Sequence, residues 1–427
     1  RPAPEHALLT RWTLACALLA GCAAAPVPAP QPPAAGPAPA SLPAAQATTD
    51  EAALQQAFAA WIETFRASAR AAGVDDATLR AALGQVRYLP RVVELDRAQP
   101  EFSRTVWDYL DRTVTPQRIA MGQDRLAQVR VEADAAAARY GVPAAVVVAI
   151  WGMESNYGGN TGGLSTIDAL ATLGFDGRRA NWARGQLLAA LQIVQSGDID
   201  RARMVGSWAG AMGQTQFLPS SFIAHAVDAD GDGRRDIWGS MADVLASTAN
   251  FLARSGWRAG QPWGLEIRLP AGFDVSRADA AVRQSASAWA AEGVQPMVGT
   301  ALPALDDAEI LLPAGARGPA FLVGANFRAI LRYNNATSYA LAVGLLAQGL
   351  GGGPGVQAPW PRDLQALSRS QVRALQTALH ALGFDSGAPD GLLGPATRNA
   401  VRQYQRSVGL VADGFPTTDL LLRLVPQ

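Results

Sequence analysis

The 427-residue sequence has two cysteines, three histidines and no net charge. Both cysteines, Cys16 and Cys22, lie in the first segment, so neither a disulfide framework nor a cysteine-based metal site is expected in the folded body. The histidines, His6, His225 and His380, are too scattered to predict a zinc site. Proteins that neutralise phosphates normally carry a basic excess, so the balanced charge argues against a nucleic-acid partner.

The apolar run near the N-terminus is short. Arg11 precedes a mostly apolar segment, residues 12–19, which ends two small residues before Cys22. A run of this length cannot span a bilayer as a stable helix and is typical of a signal peptide. Residues 23–50 are mostly alanine and proline. Such a composition cannot form a core and predicts an extended linker.

The four residues Leu19-Ala20-Gly21-Cys22 resemble the bacterial lipobox, in which the cysteine is acylated and becomes the mature N-terminus. The resemblance implies that residues 1–22 are a lipoprotein signal peptide and that Cys22 carries an anchor of several acyl chains, which binds a membrane stably. Ala23 resembles the residue that follows this cysteine in outer-membrane lipoproteins. A periplasmic protein anchored to the outer membrane is therefore expected. The alternative is a chance cysteine in an alanine-rich start.

The body of the chain has a globular composition, with 49% hydrophobic and 17% charged residues. From Glu51 onward, apolar residues recur at three- and four-residue steps, which predicts helices. A few strands are expected within residues 262–323. The predicted fold class is therefore mainly α, with α+β character. Helices are expected at 118–140, 143–157, 180–196, 219–227, 241–255 and 337–349.

Glu154 is the strongest candidate for an acid/base residue. It follows the apolar run Ala144 to Ile150, which must be buried, on a helix that Pro143 opens and that Gly158 and Gly159 end. Burial disfavours the charged form of a carboxyl group and raises its pKa toward the range of a general acid. The alternative is a helix-terminal glutamate exposed to water.

Two further segments carry groups that can bind a ligand. Residues 207–221 form a loop of small residues that leads into a helix at Pro219. Its glycines let the backbone approach a ligand closely, and Ser207 and Gln216 can hydrogen-bond hydroxyl or amide groups. Residues 332–339 supply aromatic and amide groups before another apolar helix.

The three segments together resemble the membrane-bound lytic murein transglycosylase B family, over residues 52 to 350. The resemblance implies a lysozyme-like helical catalytic domain with a small strand-containing insertion, and peptidoglycan glycan strands as substrate. It implies that Glu154 is catalytic. Phe251 departs from the family, because some members have tyrosine there. The substrate-binding residues that the resemblance implies are Ser207, Gln216, Tyr333, Asn334 and Tyr109.

Most glycosidases use two carboxyl groups, and the sequence offers no second carboxylate as persuasive as Glu154. The resemblance implies that Glu154 first protonates the glycosidic oxygen and then takes the proton of the 6-hydroxyl of N-acetylmuramic acid, which closes a 1,6-anhydro ring. Asn334 is expected to orient the acetamido group, and Ser207 the carboxyl group. No cofactor is expected for this chemistry. The alternatives are a muramidase-type hydrolase and a non-catalytic peptidoglycan-binding lipoprotein.

Residues 228–239 match a calcium-binding EF-hand loop in most positions. The sixth position is Gly233, as the sharp turn requires, but the twelfth is Gly239 and not the usual glutamate. The resemblance implies that Asp243 closes the site and that the calcium is structural. The alternative is an acidic turn without metal. The expected metal ligands are Asp228, Asp230, Asp232, the carbonyl of Arg234, Asp236 and Asp243.

A glycine-rich run from Gly349 to Gly355 indicates a linker at residues 351–363, between a catalytic domain at 51–350 and a small domain at 364–427. The small domain has two amphipathic helical stretches and turns rich in glycine and aspartate, which predicts an independent helical domain. Its pattern, which includes Pro389-Asp390-Gly391 and Asp413-Gly414, resembles a three-helix peptidoglycan-binding domain of wall hydrolases. Such a domain raises the local concentration of an enzyme on the polymer.

Overall fold

A computed structural model describes residues 44–98 and 104–425 of the chain. The predicted signal peptide, its Cys22 and most of the linker at 23–50 lie outside the described residues. The described residues form mainly helices, with seven short strands. The predicted mainly α fold class is therefore confirmed. Among the described residues, no single helix is long and apolar enough to cross a membrane, and one pair of helices passes that test only with a bend of 114°.

Eleven helices and two short strands precede the larger sheet in the described part of the chain. The strands β1 (Leu164–Ser165) and β2 (Val205–Gly206) pair antiparallel. The helices are α1 (Ala44–Ala71), α2 (Asp76–Leu83), α3 (Pro90–Arg97), α4 (Val106–Thr113), α5 (Pro116–Gln128), α6 (Arg130–Tyr140), α7 (Ala144–Ser155), α8 (Thr166–Asp176), α9 (Ala180–Gln195), α10 (Pro219–His225) and α11 (Met241–Arg254).

The larger sheet lies within the region where strands are expected. Its strand order is β4-β3-β7-β5, with antiparallel neighbours, and it covers a core of its own around the buried Trp289. The elements of this insertion are β3 (Gly264–Arg268), a 3-10 helix (Val275–Arg277), α12 (Ala286–Ala291), β4 (Gln295–Pro296), β5 (Glu309–Leu311), β6 (Pro313–Ala316) and β7 (Ala320–Val323).

The chain then returns to the main core through α13 (Ala325–Tyr333) and α14 (Thr337–Leu350). Helices α7 and α14 pack against each other at the centre of this core, because both are apolar around nearly their whole circumference. One predicted helix is wrong in length: residues 118–140 form α5 and α6, which are separated at Val129.

Three helices form the C-terminal region: α15 (Arg369–Ala381), α16 (Pro395–Ser407) and α17 (Thr418–Leu424). They share a separate core that includes Leu375, Leu379 and Val401. Gln376 is buried among them, where its amide nitrogen donates to Thr397 Oγ1 at 3.0 Å and its amide oxygen accepts from the backbone nitrogen of Gly391 at 2.9 Å. The predicted three-helix fold of this region is confirmed.

Candidate active site

Glu154 lies in the last turn of α7, a largely buried helix of the main core. The residues from Val147 to Ile150 have no exposed surface, as the apolar run predicts. The helix begins after Pro143 and ends in a left-handed turn, in which Asn156, Tyr157 and Gly158 have φ angles of 50°, 56° and 81°. The helix therefore ends at Asn156, two residues after Glu154 and two residues before the predicted glycine pair.

Tyr339 of α14 donates a hydrogen bond from its hydroxyl to Oε1 of Glu154. Burial raises the pKa of Glu154 to about 7, and the Tyr339 hydrogen bond opposes this effect because it stabilises the charged form. Glu154 is partly buried. With a pKa near neutrality, this carboxyl group can both give and take a proton.

Two more tyrosines lie in the surroundings of Glu154. Burial and the negative charge of Glu154 both raise the pKa of Tyr109 on α4 and the pKa of Tyr333 on α13. The hydroxyl of Tyr333 donates to the backbone carbonyl of Thr215 at 2.7 Å. The tyrosines predicted at 109 and 333 are therefore brought together with Glu154, and Tyr339 joins them.

The loop that begins at Ser207 folds back on itself. Ser207 Oγ accepts hydrogen bonds from the backbone nitrogens of Ala209, at 3.3 Å, and Ala211, at 3.1 Å. Among the described residues, the hydrogen bond to the Glu154 carboxylate comes from Tyr339, and the role of Ser207 toward the carboxyl group stays a prediction. Ser207 remains partly buried, so its hydroxyl can still contact a ligand.

Gln216 occupies a position of the loop with a φ angle of 50°, which is uncommon for a residue other than glycine. Its side-chain nitrogen donates to the carbonyls of Thr161, at 3.1 Å, and Gly213, at 2.9 Å. Both donors of the amide group are thereby used. The amide oxygen of Gln216 is the atom left to accept a hydrogen bond from a ligand.

Gln214 fixes this loop to helix α7, a role that the sequence did not indicate. Its amide oxygen accepts from the indole nitrogen of Trp151 at 2.8 Å, and its amide nitrogen donates to the carbonyl of Trp238 at 2.8 Å. A Cβ atom at Gly158 would come within 2.5 Å of the same amide oxygen. Gly158 therefore provides the left-handed turn and also the space for Gln214.

Asn334 lies directly after α13 and is exposed. Within the described part of the chain, its side-chain amide makes no hydrogen bond, so both ends of the amide are free to bind a ligand. Phe251, the position where tyrosine occurs in some members of the resembled family, packs its ring 4.6 Å from the ring of Tyr333. It contributes packing without a hydroxyl group.

The acidic loop after α10 brings three carboxylates together. One oxygen atom from each of Asp228, Asp230 and Asp232 lies within 4.8 Å of the others. Oxygen donors in such a cluster suit a hard cation such as Ca²⁺. The predicted turn glycine, Gly233, has a φ angle of 88°. The geometry of these three aspartates therefore fits a cation.

The other two predicted carboxylates hold the loop through backbone groups. The two oxygens of the buried Asp243 accept from the backbone nitrogens of Ala229, at 2.7 Å, and Asp236, at 2.6 Å. Asp236 Oδ1 in turn accepts from the backbone nitrogens of Trp238 and Gly239. Both residues lie outside the cluster of three.

Comparisons with known proteins match the chain to two protein families. The transglycosylase SLT domain family matches residues 57–348, and the peptidoglycan binding domain family matches residues 368–424. Membrane-bound lytic murein transglycosylase B of Escherichia coli is 33% identical over 292 residues, which are 65% of this chain and 78% of that protein.

Solved structures agree with the sequence comparison. The structure of SltB3 from Pseudomonas aeruginosa in complex with NAG-anhNAM-pentapeptide has a TM-score of 0.83 and 54% identity, and covers 86% of this chain and 99% of that chain. Escherichia coli lytic transglycosylase Slt35 in complex with calcium has a TM-score of 0.57 and 32% identity, over 68% and 92% of the two chains. The chain therefore belongs to the transglycosylase SLT domain family and is a lytic transglycosylase that acts on peptidoglycan.

Proposed function

We propose that Glu154 is the single acid and base of this lytic transglycosylase. The observation that carries the proposal is the environment of its carboxyl group: partly buried at the end of an apolar helix, hydrogen-bonded by Tyr339, with a pKa of about 7. One group that is protonated in one step and ionised in the next needs such a pKa. Among residues 44–98 and 104–425, no second carboxylate shifts the pKa of Glu154.

The reaction then needs two proton transfers, and the carboxyl group of Glu154 takes part in both. The protonated Glu154 gives its proton to the oxygen of the β-1,4 bond as that bond to C1 of N-acetylmuramic acid breaks. The acetamido group of the same sugar stabilises the cationic centre at C1. The Glu154 carboxylate next takes the proton of the 6-hydroxyl, whose oxygen bonds to C1. The product is a 1,6-anhydro sugar, Glu154 is protonated again, and no water is consumed.

The relatives support this choice of substrate and product. SltB3, at 54% identity, has been crystallised with NAG-NAM-pentapeptide and with NAG-anhNAM-pentapeptide. We assign binding of the glycan to three polar groups that the described residues leave available: the hydroxyl of Ser207, the amide oxygen of Gln216 and the amide of Asn334. Tyr109 and Tyr333 complete the predicted binding surface.

The test replaces Glu154 with glutamine, which keeps the shape and can still accept the Tyr339 hydrogen bond. Glu154→Gln should lose turnover on purified peptidoglycan by several orders of magnitude and should still bind glycan fragments. Mass spectrometry of the wild-type products should show anhydro ends, which are lighter by one water than hydrolysed ends. Near wild-type turnover in the variant would remove Glu154 from the mechanism, and hydrolysed ends would favour a muramidase-type hydrolase, which needs a second carboxylate to activate water.

The acidic loop is proposed to hold a structural calcium ion through Asp228, Asp230 and Asp232, with the carbonyl of Arg234 as a further ligand. The calcium complex of Slt35 supports this proposal. Asp236 and Asp243 are proposed as further ligands; their carboxylates accept hydrogen bonds from backbone nitrogens of the same loop region. The ion would stabilise the loop and supply no chemistry to the reaction.

The remaining parts of the chain are proposed to place the enzyme on its substrate. Cys22 carries the lipid anchor, in the periplasm at the outer membrane, and the C-terminal domain binds the cell wall. The Escherichia coli relative, a membrane-bound transglycosylase, supports the first role, and the match of residues 368–424 to the peptidoglycan binding domain family supports the second. Loss of the protein from the membrane fraction on Cys22→Ser substitution would test the anchor.

A further inference from the structure

The chain between α14 and the C-terminal domain is attached firmly to the catalytic region. We name residues 354–363 the strap. Its centre is held by Glu266 of β3, whose two carboxylate oxygens accept from the backbone nitrogens of Gln357 and Ala358, each at 2.7 Å. Hydrogen bonds to an ionised acceptor are stronger than neutral ones. The strap is therefore positioned by specific contacts along its length.

The second half of the strap contacts α4. The ring of Trp360 lies 6.1 Å from that of Trp107, with an interplanar angle of 35°. Two nitrogens of the Arg362 guanidinium donate to the two carboxylate oxygens of Asp111, at 2.6 and 3.2 Å. Residues four apart in a helix share one face, so Trp107 and Asp111 together present one face of α4 to the strap.

The opposite side of α4 belongs to the active site. Tyr109 lies two residues from both Trp107 and Asp111, and is therefore on the other side of the helix. The charge of Glu154 raises the pKa of Tyr109, as expected of a group close to it. Helix α4 thus lies between the strap and the candidate catalytic residue.

We propose that Trp360 and Arg362 are positioning residues for the transglycosylase reaction, which hold α4 from outside so that Tyr109 stays beside Glu154. The inference rests on the proposed function, in which Glu154 is the acid and base. It also connects the C-terminal domain to the active site, because the strap leads directly into that domain.

The physical basis is the shortness of α4. A helix of eight residues is marginal without tertiary contacts, so its position depends on what packs against it. An exposed ion pair contributes little to global stability, whereas a displacement of about 1 Å at a catalytic group can cost on the order of a hundredfold in rate. Loss of the Arg362 contact should therefore affect activity far more than stability.

The pH dependence of activity provides the specific readout. The titratable and charged groups around Glu154 are Tyr109 on α4, Arg118 on α5, Tyr333 on α13 and Tyr339 on α14. If α4 loosens, water reaches Glu154 from the side of Tyr109 while the other three groups stay in place. Reduced burial lowers the pKa of a carboxyl group. In a plot of kcat/KM against pH, the limb set by the ionisation of Glu154 should therefore move to lower pH.

The experiment compares, in the full-length protein, two ion pairs that the strap makes: Arg362 with Asp111 of α4, and Asp363 with Arg317 of the turn after β6. Arg362→Ala should lower kcat on the order of tenfold and move the pH limb of kcat/KM to lower pH, with little change in Tm. The matched control is Arg317→Ala, which removes an equally exposed ion pair of the strap, with Asp363 at 2.9 Å, that does not involve α4. Its kcat and pH limb should equal those of the wild type.

Charge reversal supplies a rescue. Asp111→Arg alone should reproduce the Arg362→Ala defect, and the double variant Asp111→Arg with Arg362→Asp should restore both kcat and the pH limb. Trp360→Ala should move the limb in the same direction. If Glu154→Gln is inactive but Arg362→Ala matches Arg317→Ala, only the strap inference fails. If Glu154→Gln is active, the proposed function fails and the strap inference fails with it.

Discussion

At the scale of single residues, the pKa of Glu154 is set by two opposed effects. Burial raises it and the hydroxyl of Tyr339 lowers it, and burial is the larger effect. The apolar run before Glu154 was sufficient to predict the first effect from sequence. The second could not be predicted, because Tyr339 meets Glu154 only when α14 packs on α7, and the two residues are 185 positions apart. Tyr339 belongs to the segment 332–339, but nothing in the sequence distinguished it from the other residues of that segment as a partner of Glu154.

Tyr339→Phe should move the Glu154 limb of the pH profile upward. Without the hydroxyl, the ionised carboxylate loses a hydrogen bond, so the pKa of Glu154 rises further above 7, by about one unit. The measurement is kcat/KM against pH. Tyr157→Phe is the control, since the Tyr157 hydroxyl donates to the carbonyl of Arg118 and not to Glu154. A limb that stays in place in Tyr339→Phe would contradict the role given to this hydrogen bond.

The ionised carboxylate of Glu154 should also lower the free energy of unfolding at neutral and alkaline pH. Its pKa rises from 4.5 to about 7 on folding, so the folded state favours the protonated form. Below pH 4.5 the group is protonated in both states, and as the pH rises through 7 that advantage is lost, at a cost on the order of 2 kcal/mol. Glu154→Gln should therefore have a higher Tm than the wild type at pH 8 and an equal Tm at pH 4. A lower Tm at pH 8 would show that the carboxylate is not desolvated.

At the scale of helices and loops, the predicted helical stretches match amphipathic helices such as α9 and α11, and also α7 and α14, which are apolar on nearly all sides. Helix α8, whose residues 166 to 174 are all buried, was not predicted, and neither were α4 and α13, although both have a polar face. The break at Val129 was also missed, since α5 and α6 follow each other with one residue between them and no proline or glycine there. The sequence does not distinguish Gln214 from Gln216. Only the fold shows that Gln214 holds the loop against α7, whereas Gln216 has an amide oxygen left to bind a ligand.

The acidic loop should respond to calcium. Adding Ca²⁺ should raise the Tm of the wild type, and a chelator should reverse the effect, because a ligand that binds only the folded state stabilises it. The double variant Asp230→Asn with Asp232→Asn should lose this response. Asp124→Asn, an exposed aspartate of α5, should keep it. An unchanged Tm of the wild type in millimolar Ca²⁺ would argue for an acidic turn without metal.

At the scale of the whole molecule, the described residues from Leu54 onward form one unit, in which the C-terminal region contacts the insertion. Asp413 Oδ2 accepts from the backbone nitrogen of Ala316 at 2.9 Å, and Arg402 of α16 pairs with Asp279. The sequence predicted two separate domains and a linker, and those boundaries stay a prediction. It did not predict the contacts between them, because each depends on polar side chains that look like ordinary surface residues.

Removal of residues 364–427 should separate wall binding from chemistry. The C-terminal helices have a core of their own, and the strap ends before them, so the active site should remain intact. The truncated protein should turn over a soluble glycan fragment at the wild-type rate and should digest whole sacculi more slowly, because linked binding raises local concentration. Rates that fall equally on both substrates would assign the domain a structural role instead.

The two ends of α7 have a further consequence. Pro143 lies just before its first residue, and the left-handed turn at Asn156 stops it after twelve residues. Adding or deleting one residue between Pro143 and Glu154 would rotate the glutamate by about 100° around the helix axis, away from the hydroxyl of Tyr339. The number of residues in α7 is thus as much a requirement for turnover as the carboxyl group that it carries.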